Sequence, residues 1–226
     1  MSHIIYEGPS VIDGKPIVAV LTGTINPSRN SKTGPMLQTT IIRSDISPND
    51  AVKQKEDASV CGGCPHRGSS CYVNVGHGPR AVFDAYKRGL YVRDNLTKLG
   101  RNRAIRLGSY GDPAAVPIEV WDKLLVAASM FTGYTHSPSL SPGLARYAQA
   151  SADTPEQARL LQGSGWRTFR VKTAGELLER GEVLCPSNKG VQCISCGLCN
   201  GQQRNVAIDV HGTKGKVGNY EKWRAG

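Results

Sequence analysis

No stretch of 18 consecutive apolar residues occurs in this sequence of 226 residues, so no segment reads as a membrane-spanning helix. The opening MSHIIYEGPS has neither a basic start nor an apolar core; a secretory leader is not expected, and the expected location is the cytoplasm. Familiar signatures are missing as well. There is no phosphate loop of the Walker type, no dinucleotide fingerprint, no zinc-protease helix and no Ser/His/Asp pattern, and no internal repeat stands out. An even cysteine count is also lacking. Seven cysteines do not form a fully paired disulfide set, and in a reducing compartment clustered thiols serve more often as metal ligands.

What is present is enough apolar content, 39%, to build a core without disulfide staples. The formal charge of +10 is unevenly spread: residues 1–60 balance, whereas Arg80, Lys87, Arg88, Arg93, Lys98, Arg101, Arg103 and Arg106 face only Asp84 and Asp94. Lys214, Lys216, Lys222 and Arg224 form a second basic group. Such clusters suit a polyanion, nucleic acid first; a solvated helix face and a basic tail are the plainer explanation.

Patterning predicts strands at residues 17–22 and 36–43 and a helix starting at Ser47-Pro48. A helix is expected over 79–96. Beyond it, strands at 104–108, 131–136, 147–151, 166–171 and 182–185 alternate with helical stretches at 117–130, 154–163 and 173–180, and a final strand is expected at 206–210. Such alternation argues for βα units on a parallel sheet. The expected fold class is α/β: a partial or compact β/α barrel with a cysteine-rich C-terminal metal-binding extension. The expected division is a β-rich arm and helix over 1–58, a barrel-like core over 59–184, and a cluster segment with a basic tail over 185–226.

The cysteines fall into two groups. Cys185, followed by Pro186, combines with Cys193-x2-Cys196-x2-Cys199. A triplet of this spacing with a remote Cys-Pro matches the thiolate set of bacterial-type ferredoxin clusters; a four-thiolate zinc site is the alternative. The other group, Cys61-x2-Cys64-x6-Cys71, offers only three thiols. A cluster so held leaves one iron open for chemistry, whereas zinc would recruit His66 or His77 as a fourth ligand. One site drawing on both groups is the remaining arrangement.

These features resemble the radical S-adenosylmethionine superfamily, whose members combine a partial β/α barrel, a three-cysteine cluster and often an auxiliary four-cysteine cluster. The resemblance implies two 4Fe-4S clusters, with Cys61, Cys64 and Cys71 holding the one that binds S-adenosylmethionine. It implies that Gly108, Ser109, Gly111 and Asp112 of RLGSYGDP meet the cofactor amine, and that Ser151 and Asp153 of ASADTPEQ sit at a strand's carboxyl end beside it. The spacing departs from the family's common C-x3-C-x2-C, and no Gly-Gly-Glu is present. The chain is also similar to uncharacterised cysteine-rich proteins of phages and prophages.

Asp112, His136 and Asp153 are the catalytic candidates, His136 at a strand end as acid, base or ligand or as a core histidine. Tyr110 and Tyr134 would stack on a base or fill the core, and Trp121 reads as packing. Arg167 and Arg170 would contact phosphate or line an outer edge, and His211 is an extra ligand candidate. Arg80, Lys87, Arg88, Arg93, Arg101 and Arg103 are the nucleic-acid candidates. The expected function is a radical-SAM-like iron–sulfur enzyme acting on nucleic acid or a nucleotide. The alternatives are a non-catalytic nucleic-acid-binding protein braced by iron–sulfur or zinc, and an electron-transfer partner.

Overall fold

Two runs rich in β-branched residues set the architecture. In the computed structural model, which describes residues 2–226, β2 (Pro16–Thr22) and β3 (Leu37–Arg43) are buried along most of their length. Met1, the first residue of the expected arm, lies outside the described residues. β1 (His3–Pro9) pairs antiparallel with β2, and β2 antiparallel with β3.

Every later pairing is parallel, through β4 (Ala104–Tyr110), β5 (Met130–Thr132), β6 (Tyr134–Thr135), β7 (Gln149–Ala152), β8 (Thr168–Lys172), β9 (Glu182–Leu184) and β10 (Asn205–Asp209). The molecule is thus mixed α/β with two five-stranded sheets, β1-β2-β3-β4-β5 and β6-β7-β8-β10-β9. Only Gly133 separates β5 from β6. Its N–H donates to the Cys199 carbonyl and its carbonyl accepts from Gln149 N, and a Cβ there would lie 3.0 Å from Leu107 Cβ. The two sheets therefore meet along one extended run. Among the described residues no pairing links β1 to β9, so the row of strands stays open and no closed barrel forms.

Among the described residues eight α-helices connect and cover the strands: α1 (Pro48–Lys53), α2 (Ala58–Cys61), α3 (Gly78–Lys87), α4 (Leu96–Gly100), α5 (Ile118–Leu125), α6 (Pro155–Gly163), α7 (Cys193–Cys196) and α8 (Lys214–Ala225). α1 begins at the predicted Ser-Pro, with Ser47 Oγ accepting from Asp50 N at 3.3 Å. α5 buries Trp121, Leu124 and Leu125 in the core. Gly100 of α4 passes so close to α5 that a Cβ would fall 1.7 Å from the Leu124 carbonyl oxygen, which only glycine allows. No described helix is long and apolar enough to cross a membrane.

Three expectations change. The helix expected over 79–96 ends at Lys87, and the chain turns back so that Val92 bridges to His3 beside β1. The helix expected over 173–180 is absent. Gly175 adopts φ +81, and the buried Arg170 guanidinium draws in Glu176, the Leu177 carbonyl and Glu182, so side-chain pairing replaces the helical ladder. The cysteine-rich segment does not stand apart as an extension, because β10 is inserted between β8 and β9. The basic tail is the helix α8, anchored by buried Tyr220.

Candidate functional site

Parallel strands converge their carboxyl ends on one side of a sheet, where α/β proteins collect polar side chains. Here β4 leads to Asp112, β6 to His136 and β7 to Asp153. The cysteine loop that follows α2 lies across the same ends: Cys64 Sγ is 4.0 Å from His136 Nε2, and His66 Nε2 is 2.8 Å from Asp153 Oδ1. Gly62, at φ +57, makes this approach possible, since a Cβ there would lie 2.4 Å from Ser137 Oγ.

Asp153 is the pivot. Its two carboxylate oxygens face different imidazoles, Oδ1 towards His66 and Oδ2 towards His136 at 3.6 Å. Local chemistry sets its position: Thr154 caps α6 by accepting from Gln157 N, and Gln157 Oε1 accepts from Asp153 N at 2.9 Å. α8 closes the other side. Tyr220 and Trp223 pack on the His66 ring with centroids 5.3 and 5.1 Å away, and Arg224 donates to the Asp153 carbonyl. Burial lowers the affinity of His136 for a proton, but Asp153 and Cys64 outweigh it and push its pKa up to about 10. Burial would raise Asp153, yet His136 and His66 hold it well below the usual carboxylate range.

Asp112 works through backbone groups. Its Oδ1 accepts from Ala114 N at 2.9 Å and its Oδ2 from His136 N at 2.8 Å; burial raises its pKa against these two donors. It holds the turn that presents His136. Gly108 and Gly111, at φ +60 and +83, pack too closely for side chains, with Cβ positions 2.4 Å from Gly111 O and 2.7 Å from Ile41 O. Ser109 Oγ donates to the Thr39 carbonyl at 2.7 Å, tying β4 to β3. Ser151 is half-buried on β7.

All seven thiols are unpaired, and they gather in two places. Burial, then Asp57 and the neighbouring Cys64 and Cys71, push Cys61 well up, and Cys71 is raised chiefly by burial. Separately, burial raises Cys193, with Cys185 and Cys196 adding to it. Burial, with Cys185 and Cys193 contributing, pushes Cys199 up to about 12. Cys193 and Cys199 of this set feel the charge of buried Arg106, whose guanidinium lies 4.2 Å from the Tyr134 ring centroid. Tyr134 in turn stacks on Phe169 at 4.0 Å, so this tyrosine is packed between protein groups. α7 docks on the loop before β3, Cys193 N donating to Lys32 O at 2.9 Å. Tyr110 ends β4 with its hydroxyl buried and without a hydrogen-bond partner, and Cys61 and Cys71 are among the groups that raise its pKa.

The basic candidates lie elsewhere and are partly neutralised. Arg80 pairs with Asp84 and Arg93 with Glu7, Lys87 donates to the Ser44 carbonyl, and Arg88 donates to the Asp84 carbonyl. Arg101 follows α4, and Arg103 lines an open cleft of about 580 Å³ at the amino ends of β3, β4 and β5. Arg167 donates to Gln202 O at 3.4 Å. Arg170 is fully buried in ion pairs, and His211 rests beside Tyr72 with its Nδ1 on the Asp209 carbonyl. The sequence reading weighed His66 only as a fourth zinc ligand; its partner Asp153 is 87 residues away. Ser70, Tyr220 and Trp223 were missed, although the spacing of the two aromatics places them on one helix face.

No protein-family model, curated protein or solved structure matches the chain.

Proposed function

We propose that this chain is an iron–sulfur enzyme of the radical S-adenosylmethionine kind, with a nucleic acid or nucleotide as substrate. The observation that carries the reading is the three-thiol loop lying over the carboxyl ends of parallel strands, while four further thiols gather on separate elements. The donor chemistry fits. Thiols buried beside one another resist ionisation singly, and a metal centre relieves the mutual repulsion of their thiolates. Among the described residues no three thiols approach within 4.8 Å of one another.

A cluster held by three thiolates would supply one-electron reduction to a bound S-adenosylmethionine. Cys61, Cys64 and Cys71 would hold it, and Cys185, Cys193, Cys196 and Cys199 would hold the second. Asp112 fixes the backbone that presents His136 beside Cys64. Arg88, Arg101 and Arg103 have no carboxylate partner among the described residues, but Arg101 and Arg103 precede β4 at the amino ends of the strands, so a phosphate held there would belong to a part of a long polyanion remote from the thiol loop.

Anaerobically purified protein should contain about eight irons per chain with matching sulfide and absorb in the visible. Cys64→Ala should drop this to about four and abolish reductive cleavage of S-adenosylmethionine. A colourless protein containing zinc alone would overturn the reading.

A further inference from the structure

Beside the thiol loop, three ligand atoms from three separate chain segments converge. His66, His136 and Asp153 each offer one donor, all within 4.8 Å of one another, and among the described residues no other His/Cys/Asp/Glu group does so. We propose that these residues form a mononuclear site for a divalent transition-metal cation, zinc or ferrous iron, with His66 Nε2, His136 Nε2 and one Asp153 oxygen as ligands and at least one position open. The proposal goes beyond the iron–sulfur reading and does not depend on what the cysteines hold.

The geometry carries it. Around a tetrahedral ion with metal–nitrogen and metal–oxygen bonds of about 2.0–2.1 Å, neighbouring ligand atoms stand about 3.3 Å apart. Asp153 Oδ1 lies 2.8 Å from His66 Nε2 and Oδ2 3.6 Å from His136 Nε2, and one donor atom of each residue falls within 4.8 Å of the others, so a small rotation of the carboxylate would bring one oxygen to that spacing from both rings. The two rings lie 68° from coplanar with centroids 5.8 Å apart, so both direct Nε2 at the same carboxylate without stacking. Two imidazoles and a carboxylate are the donor set of catalytic zinc sites and of ferrous sites with open positions.

The surroundings are those of a metal site. Metal-bound histidines usually engage the other ring nitrogen with a fixed polar partner, and His66 Nδ1 lies 2.7 Å from Ser70 Oγ. His136 is held through its backbone by Asp112, and Asp153 through its backbone by Gln157 and Arg224. The Asp153 side chain is 4% exposed, and among the described residues its carboxylate has no Lys or Arg partner, since Arg224 donates to the carbonyl. A cation held between the two imidazoles would supply the counter-charge that no Lys or Arg supplies. Tyr220 and Trp223 wall off the His66 side, which leaves the open coordination position towards His136 and Cys64. Cys64 itself does not come within 4.8 Å of all three donors.

Full-length protein purified anaerobically, dialysed against EDTA and titrated with Co(II) tests this. One ion per chain should bind with ligand-field absorption and no sulfur-to-cobalt charge transfer. Cobalt entering empty thiol sites would reveal itself by that charge-transfer band, so failure of the iron–sulfur reading is seen separately. Asp153→Asn and His66→Gln should each lose the one ion, and Ser70→Ala should keep it with affinity about tenfold weaker. Displacement by Zn(II) or by Fe(II) tells which metal the site prefers. Equal cobalt binding by unmodified and Asp153→Asn protein would overturn the proposal, as would a lost ion that takes sulfur charge transfer with it. Should Asp153→Asn fail to fold, the folded Ser70→Ala protein decides: unchanged cobalt affinity there leaves only a hydrogen-bonded His–Asp–His group.

Discussion

Replacing Arg170 with alanine is expected to cost about 3–5 kcal/mol of stability, the typical loss when one partner of a buried ion pair is removed, read as a lower urea midpoint. Arg170 is fully buried and grips Glu182 with two hydrogen bonds, 2.8 Å from Nε and 2.7 Å from Nη2. It also reaches Glu176 and the Leu177 carbonyl. Glu176 is shared with Arg224 of α8 at 3.1 Å, so the loss should spread to the helix that covers His66. Alanine strands the buried Glu182 carboxylate, and that stranded charge is the main source of the cost. Exchanging both partners for apolar residues, Arg170→Met with Glu182→Leu, should recover much of the loss. An Arg170→Ala protein as stable as the unmodified chain would mean that this network carries no net stabilisation.

The same pair sets an acid limit. Burial raises Glu182, but Arg170 and the Glu179 N–H more than compensate, so its folded pKa lies below the ordinary 4.5. A depressed carboxylate contributes stability that is complete above the unfolded pKa and is lost as pH falls through the folded one. Unmodified protein should therefore lose stability as pH drops below about 4.5. In Arg170→Ala, protonation instead relieves the stranded carboxylate, so the gap between the two proteins should narrow over the same range. A gap independent of pH would argue against the assignment.

Trp121→Ala should cost about 3–5 kcal/mol through the cavity it leaves, again by urea unfolding. Trp121 is fully buried with Leu124 on α5, and its Nε1 donates to the Pro113 carbonyl at 3.0 Å. Trp121→Phe keeps most of the packing and removes one of two hydrogen bonds to that carbonyl, which Val116 N still donates to at 3.2 Å, and should cost about 0.5–1.5 kcal/mol. Either change also touches the site. Pro113 follows Asp112, whose carboxylate holds His136 N, so loosening this turn should shift His136. A substitution far from the cysteines would then weaken Co(II) binding at the His–Asp–His group, whereas unaltered binding would show that the turn holds without Trp121.

The parts of the fold legible in the sequence are those where one residue type has one physical use. Ser47-Pro48 and Thr154-Pro155 cap helices as read, and the runs within β2 and β3 are strands because β-branched residues buried on both faces leave little else. The segment 173–180 does not form the expected helix because Glu176 answers to the buried Arg170 and Glu179 to Arg159 of α6, pairings that helical spacing does not reveal. α8 was unreadable for a related reason: KGKVGNYEKWRA carries two glycines and no apolar stripe, and its helix is secured by Tyr220 reaching the Val171 carbonyl at 2.8 Å. At the site, the sequence separated the two thiol groups and singled out Asp112, His136 and Asp153. It could not tell that Asp112 serves backbone N–H groups while Asp153 serves two imidazoles, because that depends on which strand ends become neighbours.

The late insertion of β10 bears on how the protein matures. Among the described residues β9 pairs with β10 alone, so residues 182–184 have no sheet to join until residues 205–209 arrive. The triplet Cys193, Cys196 and Cys199 lies in the excursion between these strands, and Cys185 directly follows β9. A nascent chain halted before residue 205 can form β1 to β8 yet cannot seat the strand that precedes Cys185. Seating of Cys185 and of the triplet is therefore tied to the arrival of residues 205–209. The non-local closure makes it a slow step, and until it is complete those thiols stay exposed to oxidants.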